Sequence, residues 1–441
     1  MRTYSSIGVE KYITLGFLSL ILAGTLLLWA TGRIAGMPVR ALDALFLATS
    51  SVCVTGLATV DIGRELALSS QVTMLILIQL GGIGIMAVTT TLMLVAGHRL
   101  ALRERLYLAG GFGSDSPSGV VRLLKLVLAY TIILEAAGAL MLFAAFSKSG
   151  LLPPQAVYNA VFHSVSAYCN AGFSTFSTNL EGYAQSLLLP ATIMALIVAG
   201  GIGFPVMFEL HEYRLKRRSF LSPYVKTVLL ATALLLALGT VLIAAFEWNR
   251  AFSGLPAWAK AWNALFGSVT ARTAGFDTVH YAKWSAEGLL VTILLMLVGA
   301  SPSSTGGGLK TTTFAVLLWS AWTELRQEEE VNLWGRCIPY TTIRRALALA
   351  FIYLFTLLFA TAALSINENQ PFSALAFEAV SALGTVGLSQ GITPRLSGTS
   401  KMVLILLMFW GRVGLLTFSY CIVPRERPVD VHLPDANIPI G

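Results

Sequence analysis

Eight stretches of about 20 apolar residues recur along the chain, near positions 12–31, 71–96, 124–146, 186–208, 225–246, 287–322, 345–365 and 401–423. Each is long enough to cross the ~30 Å hydrocarbon layer of a bilayer as a helix. The first begins after a basic residue and runs too far for a cleaved leader, so it reads as a retained span. Composition points the same way: 56% of the 441 residues are hydrophobic and 12% charged, where a soluble domain carries roughly 25% charged residues. There is too little charge to coat a surface facing water, so the expected fold is an all-α polytopic membrane protein.

Between the members of each successive pair of stretches lies a shorter apolar segment, near 40–53, 155–169, 258–271 and 372–383. Segments of ~10–14 residues fit a re-entrant helix better than a crossing. Each runs into a glycine followed by a large apolar residue: Val54-Thr55-Gly56-Leu57, Asn170-Ala171-Gly172-Phe173, Thr273-Ala274-Gly275-Phe276 and Thr385-Val386-Gly387-Leu388. The glycines are 116, 103 and 112 residues apart, so the chain is an internal repeat. A unit of two crossings returns to its starting side, which gives all four units one orientation around an axis normal to the membrane. The expected architecture is four fused helix–pore loop–helix repeats, eight transmembrane helices plus four re-entrant pore helices around a pseudo-fourfold pore. Their boundaries are expected at 1–97, 98–210, 211–330 (with a broken second helix) and 331–423, followed by a tail at 424–441.

The net charge of +8, from 30 Lys and Arg against 22 Asp and Glu, does not require nucleic acid. With the amino terminus inside, the inner segments carry 18 of the basic residues and the outer segments 10, the asymmetry expected of cytoplasmic loops. Both termini are therefore expected in the cytosol, with the re-entrant segments entering from outside. Four cysteines and five histidines are scattered without metal-ligand spacing, and no span offers a nucleophile–base pair, so an enzyme is not expected.

Non-helical backbone at membrane depth is tolerated where it is buried in protein or lines a water-filled cavity. Four such segments on one axis favour the cavity. Glycine lets a carbonyl turn toward the axis with no Cβ in the way, and a ring of carbonyls replaces the hydration shell of a cation. The short helices would also direct the negative ends of their dipoles at the axis. A cation path is expected, lined by Val54, Thr55, Gly56, Asn170, Ala171, Gly172, Thr273, Ala274, Gly275, Thr385, Val386 and Gly387.

These motifs, together with Asp43-Ala44-Leu45-Phe46 before the first glycine segment, Arg272 before the third and Phe377-Glu378-Ala379-Val380-Ser381 before the fourth, resemble the membrane subunit of the Trk/Ktr/HKT superfamily of potassium transporters. The resemblance covers nearly the whole chain, and its length and start are similar to the bacterial KtrB branch. It implies potassium ions at the filter carbonyls as the transported species, no organic cofactor, a homodimer in the bacterial cytoplasmic membrane, and a cytosolic nucleotide-binding regulatory ring of the RCK type. In the superfamily a Ser at the first filter glycine goes with sodium transport, and here that position is Gly56.

The sixth stretch is interrupted by Gly299-Ala300-Ser301-Pro302-Ser303-Ser304-Thr305-Gly306-Gly307-Gly308-Leu309-Lys310, which cannot continue an ordinary helix. It is not a phosphate loop: Leu309 separates the last glycine from Lys310, and no strand precedes it. The resemblance implies a gate here, made by Thr305, Gly306, Gly307, Gly308 and Lys310, lying under the filter, with a packing kink as the alternative. Arg412, central in the last stretch, is costly in hydrocarbon; the resemblance implies that it holds the gate loop and repels cations, while snorkelling is the alternative for it and for Lys310. Asp43 and Glu378 are expected to cap backbone amides or lie near Arg272, and Gly81, Gly82, Gly200 and Gly201 to admit close helix approach. Two further readings stay open: a sodium-permeable or sodium-coupled transporter of the same fold, and an alternating-access carrier. The carrier would show broken helices at matching positions of its repeats, and only one strong break is expected here.

Overall fold

The structure, a computed structural model, describes residues 9–84, 87, 120–217 and 219–415. The ends of the second and last apolar stretches, the segment boundaries at 97 and 423, the tail, and the cations Arg2, Arg99, Arg103, Arg105, Arg218, Arg425 and Arg427 lie outside the described residues.

The described chain is mostly helical, with one small ribbon pairing Asn332–Leu333 with Arg336–Cys337. A first group consists of α1 (Val9–Ile34), α2 (Ala41–Val52) and α3 (Leu68–Ile83). A second has α4 (Val120–Lys148), α5 (Pro153–Tyr168), α6 (Leu188–Gly201) and α7 (Phe204–Arg214). The third is α8 (Pro223–Glu247), α9 (Ala257–Thr270), α10 (Ala286–Leu297) and α11 (Thr311–Leu325), and the last α12 (Tyr340–Asn367), α13 (Phe372–Gly384) and α14 (Gly398–Val413). Helix starts follow local chemistry. Ser222, Ser285 and Ser397 each accept a backbone N–H of the first turn with the side-chain hydroxyl, and Pro153 and Pro223 occupy positions where no amide hydrogen is needed.

Four helices, α1, α4, α8 and α12, are long and apolar enough to cross a bilayer. The pair α6 and α7 makes a fifth if its 96° bend is counted within one span. The expectation of a single strong break is corrected here. α3 stops at Gly84 (φ +92°), α6 gives way to α7 at Gly203 (φ +100°), α14 stops at Gly414 (φ +92°), and the 298–310 loop separates α10 from α11. Only glycine adopts such φ values at no steric cost. Hydropathy does not register backbone conformation, so three of these breaks are hidden within apolar runs.

Each of α2, α5, α9 and α13 packs within its own group and against a helix that follows the short helix of the neighbouring group: α3 meets α5, α6 meets α9, α10 meets α13, and α14 closes back on α2. Every short helix also buries one large ring: Phe46, Phe162, Phe266 and Phe377 are each at most 1% exposed. The closing contact between the two ends of the chain carries an ion pair, Lys401 Nζ to Asp43 Oδ1 at 2.8 Å. Both side chains are about nine-tenths buried, so losing one partner strands a charge. Lys401→Met is therefore expected to destabilise the fold by ~3–5 kcal/mol, and adding Asp43→Asn to restore much of the loss. Thermal unfolding of the detergent-solubilised protein checks this, and an unchanged midpoint for Lys401→Met would contradict it.

Candidate functional site

The four glycine segments begin in the same way. At the end of each short helix one residue takes a left-handed conformation: Val54 (φ +56°), Asn170 (φ +59°), Thr273 (φ +81°) and Thr385 (φ +49°). Two residues later the glycine is also at positive φ, between +68° and +100°. For β-branched Val54, Thr273 and Thr385 this is an outlier, and such strain persists where the surroundings enforce it.

The glycines then form a closed cycle. A Cβ on Gly56 would run into the Ala171 carbonyl oxygen, one on Gly172 into that of Ala274, and one on Gly387 into that of Thr55. On Gly275 it would lie 2.6 Å from the Val386 carbonyl oxygen. Each glycine thus sits against the middle carbonyl of the next segment, through all four and back to the first. All twelve residues of the expected filter are gathered here, and eleven of them are buried, Gly56 being the partly exposed member.

Hydroxyls on the short helices hold these segments, and the sequence reading overlooked them. Ser50 Oγ accepts from Gly56 N at 3.2 Å and Ser381 Oγ from Gly387 N at 3.0 Å. Ser166 Oγ donates to the Phe173 carbonyl at 2.9 Å and Thr270 Oγ1 to that of Phe276 at 2.6 Å. The signal was present: in every unit a Ser or Thr stands one helical turn after the buried Phe.

Below the cycle lies the interrupted segment. Val298 and Leu309 pair as an isolated bridge, with Gly299 N donating to the Leu309 carbonyl at 2.8 Å. The loop is tied to the second group where Ser301 N donates to the Gly201 carbonyl at 3.1 Å and Phe204 N to that of Ser303 at 2.9 Å. Gly307 N donates to Thr385 Oγ1 at 3.0 Å, and a Cβ on Gly306 would meet Thr273 Oγ1. Thr305–Gly308 therefore touches the first residues of two of the glycine segments. Arg412 donates to the Thr305 carbonyl and to that of Gly81, and at 3.4 Å to that of Gly82. Lys310 Nζ donates to the carbonyls of Gly306 at 2.9 Å and Gly307 at 3.5 Å, so neither cation is directed away from the loop.

Other expectations are corrected or refined. Asp43 pairs with Lys401, and Glu378 accepts from Ser389 and, at 2.8 Å, from Thr393. Arg272 instead donates to Thr232 Oγ1 at 3.3 Å. Each carboxylate found a polar partner on the helix or loop facing it, which a linear reading does not reveal. The small glycines do admit backbone: a Cβ on Gly81 would strike the Val52 carbonyl, on Gly200 the Tyr168 carbonyl and on Gly411 the Leu383 carbonyl.

On the other side of the cycle, two hollows of about 340 and 370 Å³ adjoin the glycines. Asp61 and Glu65 line the first, and Glu181, Asp277 and His280 the second. Asp277 Oδ1 is shut off from solvent without a hydrogen-bond partner. Burial, helped by the Glu181 charge, pushes its carboxyl up to about 7, against a smaller opposing pull from Lys283.

The model of the TrkH family, described as a cation transport protein, matches residues 10–427. The chain belongs to this family. It is 34% identical over 438 residues to the Ktr system potassium uptake protein B of Vibrio alginolyticus, covering 98% of this chain and 95% of that protein. It is also 34% identical over 450 residues to the potassium/sodium uptake protein NtpJ of Enterococcus hirae, covering 100% of this chain and 99% of that protein. The crystal structure of the potassium transporter TrkH from Vibrio parahaemolyticus superposes with a TM-score of 0.73 at 19% identity, covering 96% of this chain and 87% of that one. At that identity the match establishes the fold. With its apolar helices, the chain is a membrane protein of this family.

With burial pushing its carboxyl up to about 7, Asp277 gains its charge as pH rises through that value and then adds negative charge to the hollow beside Gly275. Cation uptake into proteoliposomes is therefore expected to rise as external pH increases through about 7. Asp277→Asn should flatten that step; an unaltered pH profile in this variant would remove Asp277 from the account.

Proposed function

We propose that the chain takes up potassium ions through a gated, channel-like pore whose selectivity filter is the cycle of four glycine segments. The closed glycine–carbonyl cycle carries this reading. It presents backbone oxygens from four chain segments around one point, the arrangement that replaces a hydration shell. The relatives named for potassium uptake support the choice of ion. In this reading the units are four fused helix–pore loop–helix repeats, 1–97, 98–210, 211–330 and 331–423, in a bacterial cytoplasmic membrane with both termini cytosolic. The 298–310 loop is the gate, and Arg412 its tether. A homodimer and a cytosolic nucleotide-binding ring complete the assembly; the word "system" in the names of the Ktr relatives supports a separate regulatory component.

Two observations favour second readings. The breaks near Gly84, Gly203, 298–310 and Gly414 recur at matching places in all four groups, a feature associated with alternating access. The Enterococcus hirae relative is named for both potassium and sodium. Electrical recording in liposomes separates the first from a pore, since tightly coupled electroneutral flux would contradict a conducting path.

Gly56→Ser is expected to lower the potassium-to-sodium permeability ratio sharply, because it combines a left-handed backbone penalty of roughly 1–2 kcal/mol with a clash against the Ala171 carbonyl. Gly182→Ser is the control, since a Cβ there meets nothing within 4 Å; Gly82 is unsuitable because Cys169 Sγ lies 2.6 Å from its Cβ position. Equal ratios for the two variants would refute the filter. Arg412→Gln and shortening of the 306–308 glycines should each raise unregulated flux, and their combination should give less than the sum because both act on one closed state. Reduced flux in both single variants would mean that the loop supports conduction.

A further inference from the structure

The flank of the 298–310 loop is hollow. A cavity of about 380 Å³ lies between α8, α10, α11 and α12, within the size range of small-ligand pockets, ~300–1,000 Å³. Its inner wall includes Val298 and Leu309, the bridged residues from which the loop begins and ends, and Phe314 on the first turns of α11. The remaining lining side chains are Leu, Val and Ala, apart from Tyr353. The Tyr353 hydroxyl is buried without a hydrogen-bond partner and stands 3.6 Å from where a Cβ would lie on Gly384, the last residue of α13. One wall of the cavity is therefore the hinge of the loop, and another leans on the helix that leads into the fourth filter segment.

What fills this space follows from where it opens. Leu238, Leu294 and Leu354 also line the cavity and are 56%, 55% and 55% exposed. Leu238 and Leu354 lie in the middle of α8 and α12, two of the helices long and apolar enough to cross a bilayer. The mouth thus faces hydrocarbon. Water has no polar wall to hold it here, since a buried water needs two or more polar partners.

We propose that this cavity is a lipid site: the acyl chain of a membrane phospholipid enters between α8 and α12 and packs against Val298, Leu309 and Phe314, bracing the two ends of the loop in the arrangement seen. For the loop to leave the filter, Leu309 and Phe314 must shift, and the cavity is the free space beside them. An occupying chain removes that space and disfavours opening. The effect on flux rests on the loop being the gate, as in the proposed function; occupancy of the cavity does not.

The test uses the full chain in nanodiscs and in proteoliposomes containing a phospholipid with a photoactivatable diazirine on its acyl chain. After irradiation, mass spectrometry is expected to find adducts on Tyr353 and on the peptide spanning Val298 to Phe314. Ala350→Trp and, separately, Leu354→Trp should each fill or close the cavity and abolish those adducts, and, because a tethered ring occupies permanently the space that an exchanging lipid leaves at intervals, lower basal potassium flux. Two variants guard against one failing to fold, and retained adducts at exposed Ile132 and Ile133 report a folded protein in lipid. Adducts at Ile132 and Ile133 but none on Tyr353 or the loop hinge in the unmodified chain would overturn the lipid site. So would disulfide formation between two copies through cysteines at Leu294 and Leu354, which would make this face a contact between protomers. If both filled variants lose the adducts while flux is unchanged, the bracing of the loop is overturned and the gate assignment stands on its own tests.

Discussion

The close approach of four glycine α-carbons to four neighbouring carbonyl oxygens is the contact on which the rest of this molecule depends. It requires that no member carry a Cβ, and it requires the preceding left-handed residue to turn the chain off its helix. Strained conformations of this kind cost about 1–3 kcal/mol each. They are held by what surrounds them: a buried Phe on each short helix, a hydroxyl that clasps the segment, and a helix of the neighbouring group packed on each short helix. Because the packing runs in a ring, the Asp43–Lys401 pair matters beyond its own energy, as it joins α2, the first short helix, to α14 at the other end of the described chain. Oxygens fixed in this way cannot relax far toward a smaller ion, which is the physical basis for reading the cycle as a selective site.

The second constraint is electrical. Carbonyl oxygens and the negative ends of four helix dipoles converge on the cycle, while Arg412 and Lys310 are the cations set beside the loop beneath it. An isolated charge at this depth is expensive, and both donate to backbone carbonyls, Lys310 to those of the loop and Arg412 to those of the loop and of the end of α3. The break in the third group thus serves two ends: its loop offers carbonyls to both cations, and it is short enough to sit under the glycine cycle. In the proposed mechanism, moving that segment displaces positive charge and backbone from the ion path together.

Much of this was legible in the chain because it depends on period and residue size. The long apolar runs, the short segments between them and the four glycines are visible by counting, and the structure brings together the twelve residues expected to line a cation path. Arg412 stood out by its cost, and its carbonyl partners follow from glycine-rich neighbours. What stayed hidden depends on three-dimensional pairing or on backbone angles. Gly84, Gly203 and Gly414 lie within apolar runs that show no break, yet α3, α6 and α14 end at or beside them with φ at +92° to +100°. Asp43 sits more than 350 positions from Lys401, so no local pattern links them. Glu378 has its hydroxyl partners on the loop that follows its own filter segment. Asp277 follows Phe276 and looks like an ordinary loop acid until its burial beside Glu181 is seen.

The central claim is that the carbonyls of Thr55, Ala171, Ala274 and Val386 enclose a dehydrated monovalent cation. Anomalous diffraction from crystals grown in thallium or rubidium salts measures this directly. The account predicts a peak on the axis of the glycine cycle, within inner-shell distance of those four oxygens, that weakens when sodium replaces the heavy ion. A peak confined to the outer hollows beside Asp61 and Asp277, with none inside the cycle, would contradict it.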